Sequence, residues 1–370
     1  MAAQQRDSAV AAQGMTGMGM QASSEHQNAF NALRIGAASA VIFSHHFHIT
    51  GTRPPAWLHS DMVGGVAVMT FFTISGYLVT LSWLRDPRLL AFVAKRLLRL
   101  WPGMLVAVVA DVLLFGSTFT ALPLREFWTH PATLEHWRNL LLVEAYVNLP
   151  GVFPANPLAG LMNGPLWTIP MELMCYAGLA AIGVLGMLRW RVLGCIAALG
   201  YIAYFLTMRN ADLTGTMYHW FEYPAYFAFG GLIALLRDVF LLHGRVVLLA
   251  LLPLAAGLFF GLKLEHSAGL LLLPPLLIYL GLHEAPVFAR LHRAGDPSYG
   301  IYILGCPIQQ SVQAICPQLP FAASLLLALL LALVAGYASW HAVEAPALRL
   351  KRLWGQASRP AKVTGWVNAS

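Results

Sequence analysis

Residues 34–51 read RIGAASAVIFSHHFHITG: an arginine, ten mostly small or apolar residues, then histidines at 45, 46 and 48. The stretch from Ala29 to Ile49 is apolar, and it has about the 20 residues that crossing a bilayer takes. An arginine inside such a span costs roughly 2.5–3.5 kcal/mol even on the lenient insertion scale, so its presence needs a reason. Eleven helical residues advance three turns plus about 20°, which sets Arg34 and His45 on one face, about 16 Å apart along the axis. His46 points about 100° away, and His48 reaches the outer rim. Arg34 could snorkel to headgroups while the histidines bond to neighbouring helices. Sharing one face, Arg34 and His45 also describe a polar track through a bundle. No carboxylate or cysteine lies nearby at ligand spacing, so no metal is expected.

The rest of the chain agrees with a membrane reading. Of 370 residues 58% are hydrophobic and 11% charged, against about 25% charged in an average soluble domain. The mean hydropathy is +0.64. Soluble multidomain architecture is excluded, and an all-α, polytopic transmembrane bundle is expected. The net charge of +7 does not call for nucleic acid, because the basic residues sit in short clusters between apolar runs. Cys175, Cys195, Cys306 and Cys316 show neither metal spacing nor a disulfide framework.

About ten spans can be drawn: 29–49, 63–84, 97–115, 165–187, 192–207, 219–236, 246–261, 267–283, 298–315 and 321–343. Residues 1–28 and 353–370 read as cytoplasmic tails, the first disordered and without a signal-peptide core, around a membrane domain at 29–352. Arginine and lysine concentrate in 85–99, 188–191, 237–245, 290–293 and the tail from Arg349. The positive-inside rule makes those segments and both termini cytoplasmic. The connection 116–164 then lies outside, where Trp128, Trp137, Tyr146 and Trp167 suit a membrane boundary. Within it NLLLVEAYVNL (139–149) is apolar but too short to span, as a re-entrant or interfacial segment would be.

Three further clusters carry polar groups. In FFTISGYLVTLSWLRDPRLLAFVAKRLLRLWPGML (71–105), Arg96 and Arg99 form an i, i+3 pair able to hold a phosphate. The alternative is a positive cluster that only sets topology. In NGPLWTIPMELMCYAG (163–178), Glu172 lies near the outer end of a span, where a carboxylate needs a partner. That partner can be a histidine, a helix-packing hydrogen bond or a sugar hydroxyl. GDPSYGIYILGCPIQQ (295–310) and WHAVEAPALRLKR (340–352) read as structural, with Glu344 able to neutralise nearby cations.

Taken in order, these stretches resemble the acyltransferase-3 family of bacterial integral-membrane acyltransferases. Arg34 and His45 resemble its Arg, ten residues, His signature. Phe72, Ser75, Gly76 and Tyr77 resemble its F-x-x-S-G-[FY] segment, and Arg96, Arg99, Leu100 and Pro102 its R-x-x-R-[IL]-x-P. Asn163 to Glu172 resembles N-G-x-L-W-[ST]-x-x-x-E, Gly295 to Tyr302 resembles G-x-x-S-Y-[GS]-x-Y, and Glu344 to Pro346 the closing E-x-P. One departure is Leu173, where many members carry a second acidic residue.

The resemblance implies transfer of a short acyl group, acetyl above all, from cytoplasmic acyl-CoA to a hydroxyl of an exported or lipid-linked carbohydrate at the bacterial inner membrane. It implies that Arg34, Arg96 and Arg99 hold the anionic part of CoA. It makes His45 the base with Glu172 in support, and it sets Asn163 and Trp167 on the acceptor side. A base of near-neutral pKa suits the activation of a hydroxyl. A rival reading is a transporter in which Arg34, His45 and Glu172 line a path.

Overall fold

In the computed structural model, which describes residues 28–208, 216–256 and 265–351, helices carry the architecture. The paired backbone outside them amounts to isolated bridges, such as Thr120 with Val152 and Asn148 with Leu161. The first helix, α1 (Phe30–Thr50), ends on Gly51 and runs against α2 (Ser60–Arg85). A third helix, α3 (Leu89–Phe119), carries Pro102 and a π-helical turn at Ala110–Gly116. Two short helices, α4 (Leu124–Thr129) and α5 (Pro131–His136), lie in the long connection that follows.

The chain then enters α6 (Gly164–Val184) through a 3₁₀ turn. Beyond it come α7 (Arg191–Met208), α8 (Thr216–Leu235), α9 (Arg237–Ala256) and α10 (Glu265–Gly281). The last elements are the amphipathic α11 (Pro286–Ala294), the almost wholly buried α12 (Ser298–Ile315) and the apolar α13 (Phe321–Arg349).

Each of the ten stretches drawn from the sequence falls on one of these helices, apart from residues 257–261 of the seventh, which lie outside the described residues. Four of the described helices, α2, α3, α6 and α13, are long and apolar enough to cross a membrane by themselves. Both expected tails also fall outside the described residues, save Asn28. The apolar stretch 139–149, expected to be re-entrant or interfacial, is mostly irregular backbone. It begins in a 3₁₀ turn (Trp137–Leu141), and Leu142 then takes a left-handed φ of 63°. Asn139 ties this turn down: its amide donates to the carbonyls of His136 and Tyr146 at 2.9 Å and accepts from Tyr146 N–H at 2.9 Å.

The centre of the bundle is the packing of α2 on α8 and α1. Small residues set how closely these backbones approach, as in helix packing within membranes generally. At Gly76 a Cβ would lie 2.0 Å from the carbonyl oxygen of Phe227 on α8. Backbone cannot retreat as a flexible side chain can, so only glycine fits there. We expect Gly76→Val to destabilise the protein by at least about 2 kcal/mol, read as a lowered unfolding midpoint in detergent. Gly65→Ala, on the same helix with nothing within 4 Å, is the control and should leave the midpoint unchanged. Equal midpoints for both variants would refute the crossing.

Candidate functional site

A cavity of about 440 Å³ opens among α1, α2, α3, α6 and α12 and the C-terminal end of α13. Arg34, Arg96, Arg99 and Glu172 all line it, so three helices bring four of the sequence-derived residues to one place. The i, i+3 spacing of Arg96 and Arg99 does put both on one face of α3.

The arginines have unequal surroundings. Arg34 Nη1 donates to Asp296 Oδ2 at 3.2 Å, and Arg99 Nη2 donates to the same oxygen at 2.8 Å. Arg99 also lies 3.7 Å from Glu344 Oε2 and over the rings of Tyr299 and Trp340, each centroid 5.8 Å away. Asp296 is presented by Gly295, whose φ of 109° belongs to glycine, and a Cβ there would meet Trp340 at 2.2 Å. Burial pushes the Asp296 carboxyl up, but Arg99 and Arg34 outweigh it and hold the group below its usual range. Asp296 is therefore an anion with two cations on it.

Arg96 stands apart. Its guanidinium lies over the rings of Phe92 and Tyr176, 5.9 and 5.8 Å from their centroids, and its buried Nε has no hydrogen-bond partner. An orphaned buried donor in a cavity wall is an unfilled position for an acceptor.

Glu172 takes its hydrogen bonds from hydroxyls. Tyr176 O–H donates to Oε1, and Ser75 O–H reaches the same oxygen at 3.2 Å. No hydrogen bond or ion pair joins Glu172 to His45 among the described residues. His45 is absent from the cavity lining. On α1 it stands one turn from His48, whose Nε2 pairs with Asp61 Oδ1 at 2.7 Å. Ser44 lies against Gly64, which levels Val68, a cavity-lining residue of α2, with Ala40. The cavity thus reaches a height about 7 Å short of His45, and the buried Ala38 and Val41 lie on the face between Arg34 and His45.

His46, the other member of the pair, is fully buried between Ser324 Oγ at 2.8 Å and Gln309 Nε2 at 3.0 Å. Asn163 is also fully buried, donating to Asp111 Oδ2 at 2.9 Å and to the Ile303 carbonyl at 2.8 Å, away from the cavity lining. Trp167 packs beside His219 and Tyr223, and His219 pairs with the buried Glu222 at 2.9 Å.

Asp296 and Lys351 sit unmarked in the two stretches read as structural, while Glu344 lies 3.7 Å from Arg99, the kind of cation it was expected to neutralise. The signal available was the acidic residue in each stretch, since a carboxylate in so apolar a chain needs a cation. Tyr176 and Ser75 carried no charge to mark them, and His219 and Glu222, three residues apart on α8, form a pair that spacing alone could have suggested.

A family profile described as an acyltransferase domain matches residues 27–342. An O-acetyl transferase of Shigella phage Sf6 is 28% identical over 335 residues, 86% of this chain and 95% of that protein. Nodulation protein 10 of Rhizobium leguminosarum bv. viciae is 31% identical over 192 residues, 48% of this chain and 51% of that protein. No solved structure matches the chain.

Removing Asp296 should cost more stability than removing a cavity cation that lacks a carboxylate. Asp296→Asn leaves Arg34 and Arg99 without their shared anion and is expected to destabilise by about 3 kcal/mol or more, whereas Arg96→Gln should cost less than about 1 kcal/mol. Unfolding midpoints of the two detergent-solubilised variants check this ordering, and the reverse order would contradict it.

Proposed function

The chain belongs to the acyltransferase-3 family and is an acyltransferase, and from that premise we propose that it moves a short acyl group, acetyl above all, from cytoplasmic acyl-CoA to a hydroxyl of an extracytoplasmic carbohydrate. The single observation that carries the donor side is the arginine-lined cavity, in which Arg96 Nε lacks an acceptor. An anionic donor with a long, thin, uncharged arm suits a cavity lined both by cations and by Ser75, Tyr176 and Glu172. When bound, acyl-CoA supplies the activated thioester. The chain's own residues do the rest: cations hold the phosphates, and Glu172 fixes the hydroxyls of Tyr176 and Ser75 in the wall beside the reacting end.

On the acceptor side His45 takes the hydroxyl proton, with His48 and Asp61 one turn nearer the exposed end of α1. The donor enters from the cavity and the acceptor from the far end, and Ala38 and Val41 must part for the two to meet. The proposed setting is the bacterial inner membrane, with ten helical spans and both termini in the cytoplasm. Within the described residues each drawn span falls on a helix, which supports this setting, as does the lysine and arginine pattern.

The test is transfer in sealed vesicles of known orientation. Labelled acetyl-CoA should act only from the face bearing residues 85–99, with label recovered on glycan at the opposite face. Recovery only on the donor's face would reject transfer across the bilayer. His45→Ala should lower kcat at least about 100-fold with normal protein abundance. His46→Ala should instead lower folded yield, because it strips Ser324 and Gln309 of their partner. An active His45→Ala protein would remove the assigned base.

A further inference from the structure

Four cations line the cavity, and the structure sorts them into two kinds. Arg34 and Arg99 share Asp296, and Arg99 also faces Glu344. Their charge is largely spent within the protein. Arg96 and Lys351 have no carboxylate at ion-pair distance among the described residues, and both line the same cavity. Arg96 further has its unpartnered Nε. Lys351 follows the last turn of α13 and is partly buried.

The groups that face Lys351 are mostly positive. From α1 comes Arg34, and from α3 come Lys95, Arg96 and Arg99. Asn31 on α1 and His292 on α11 line the same cavity, as does Asp296, already occupied by two arginines. Glu344 on α13 lies beside Arg99, while Lys95 is neutralised by Asp86 at 2.8 Å. An ammonium among arginines with no anion of its own is repelled, and a multiply charged anion would relieve that repulsion.

We propose that Arg96 and Lys351 are the phosphate-binding pair of this cavity, that Arg34 and Arg99 are structural cations fixed on Asp296, and that Lys351 takes up a proton as phosphate binds. The inference rests on acyl-CoA as donor and assigns its nucleotide phosphates to two residues of this chain. Burial first, then the fields of Arg96, Arg99, Lys95 and Arg34, push the Lys351 ammonium down to about 7. Above that pH the empty site holds mostly neutral lysine, and a bound phosphate returns the proton. Affinity is therefore level below pH 7 and falls above it, by up to about tenfold per unit, until the bound lysine also titrates.

Calorimetry with CoA as probe, in buffers of different ionisation enthalpy, reads both quantities on the full-length protein in neutral detergent. Above pH 7 the wild type should bind CoA with falling affinity, take up about half a proton near pH 7.5, and take up little by pH 9 once the bound lysine titrates too. Lys351→Gln should bind CoA about tenfold more weakly, with no proton uptake and no pH slope. Lys351→Arg should restore affinity while the slope stays absent, because arginine does not titrate there. Arg96→Gln should weaken binding about tenfold and reduce the proton uptake without abolishing it, because the empty-site lysine loses one of the charges that push its proton off. Pantetheine, which lacks phosphate, should not distinguish wild type from Lys351→Gln. Unchanged affinity and proton uptake in Lys351→Gln would overturn the inference and leave the acyl-CoA donor intact. A wild type that binds no CoA at any pH would overturn the donor itself. Anionic lipid headgroups offer the same phosphate chemistry. If phosphatidylglycerol vesicles, but not CoA, protect Lys351 from an amine-reactive reagent, the pair is a headgroup site and the assignment to CoA fails.

Discussion

The structure depends on one carboxylate shared by two arginines. Asp296 sits in a three-residue connection between α11 and α12, yet it accepts from Arg34 on the first helix and Arg99 on the third. A buried guanidinium is costly without an anion beside it, so this contact fixes where α1 and α3 stand relative to α12. Its surroundings serve the same end. Ser298 donates to the other carboxylate oxygen, and Gly295 supplies the backbone turn that no residue with a Cβ could make against Trp340. Arg99 then lies between Tyr299 and Trp340, and Tyr299 reaches on to the Leu100 carbonyl at 3.1 Å. Arginines that a reader of the sequence would give to a ligand are first of all joints of the bundle.

That constraint divides the polar groups of α1. Arg34 belongs to the cavity, while His45 belongs with His48 and Asp61 at the far end, and Ala38 and Val41 fill the face between. Glu172 lies with the cavity and is engaged by two hydroxyls. The polar track therefore has a gap in the middle. For the proposed reaction a closed middle has a physical use: an open path would let water reach the thioester from both faces and would leak protons across the membrane.

The helical class and the positions of ten apolar stretches were legible from periodicity and hydropathy, because a bilayer demands long apolar helices and nothing in the chain obscures them. Four site residues, Arg34, Arg96, Arg99 and Glu172, were legible as charges in apolar surroundings. What was hidden is pairing. Nothing in the spacing of Arg34 and Asp296, 262 positions apart, says that they meet, and Asp296 in a GDPSYG turn looks like ordinary loop chemistry. Asn163, which the resemblance sets on the acceptor side, donates both its amide hydrogen bonds within the protein, to Asp111 and to the Ile303 carbonyl, a pairing that its motif does not reveal. The apolar 139–149 stretch was read by length and hydropathy alone, which say nothing of a left-handed residue at Leu142 or of Asn139 acting as a three-bond clamp.

A chain with so few charges shows its priorities in where it leaves them unpaired. Beyond the arginine joint, a second buried network ties the long connection to the bundle: Asp111 in the π-turn of α3, His136 ending α5 at 3.3 Å, and Asn163 entering α6. Both networks join irregular backbone to helices, where packing alone specifies position least, and both spend their charges internally. Arg96 and Lys351 are the exceptions on the cavity wall. Among the described residues Arg96 has Tyr176 and the field of Glu172 but no ion pair, and Lys351 is set among cations, so holding the two there out of water works against folding. In the proposed reaction the phosphates of acyl-CoA supply the missing charge, and their binding free energy then falls mainly on these two groups.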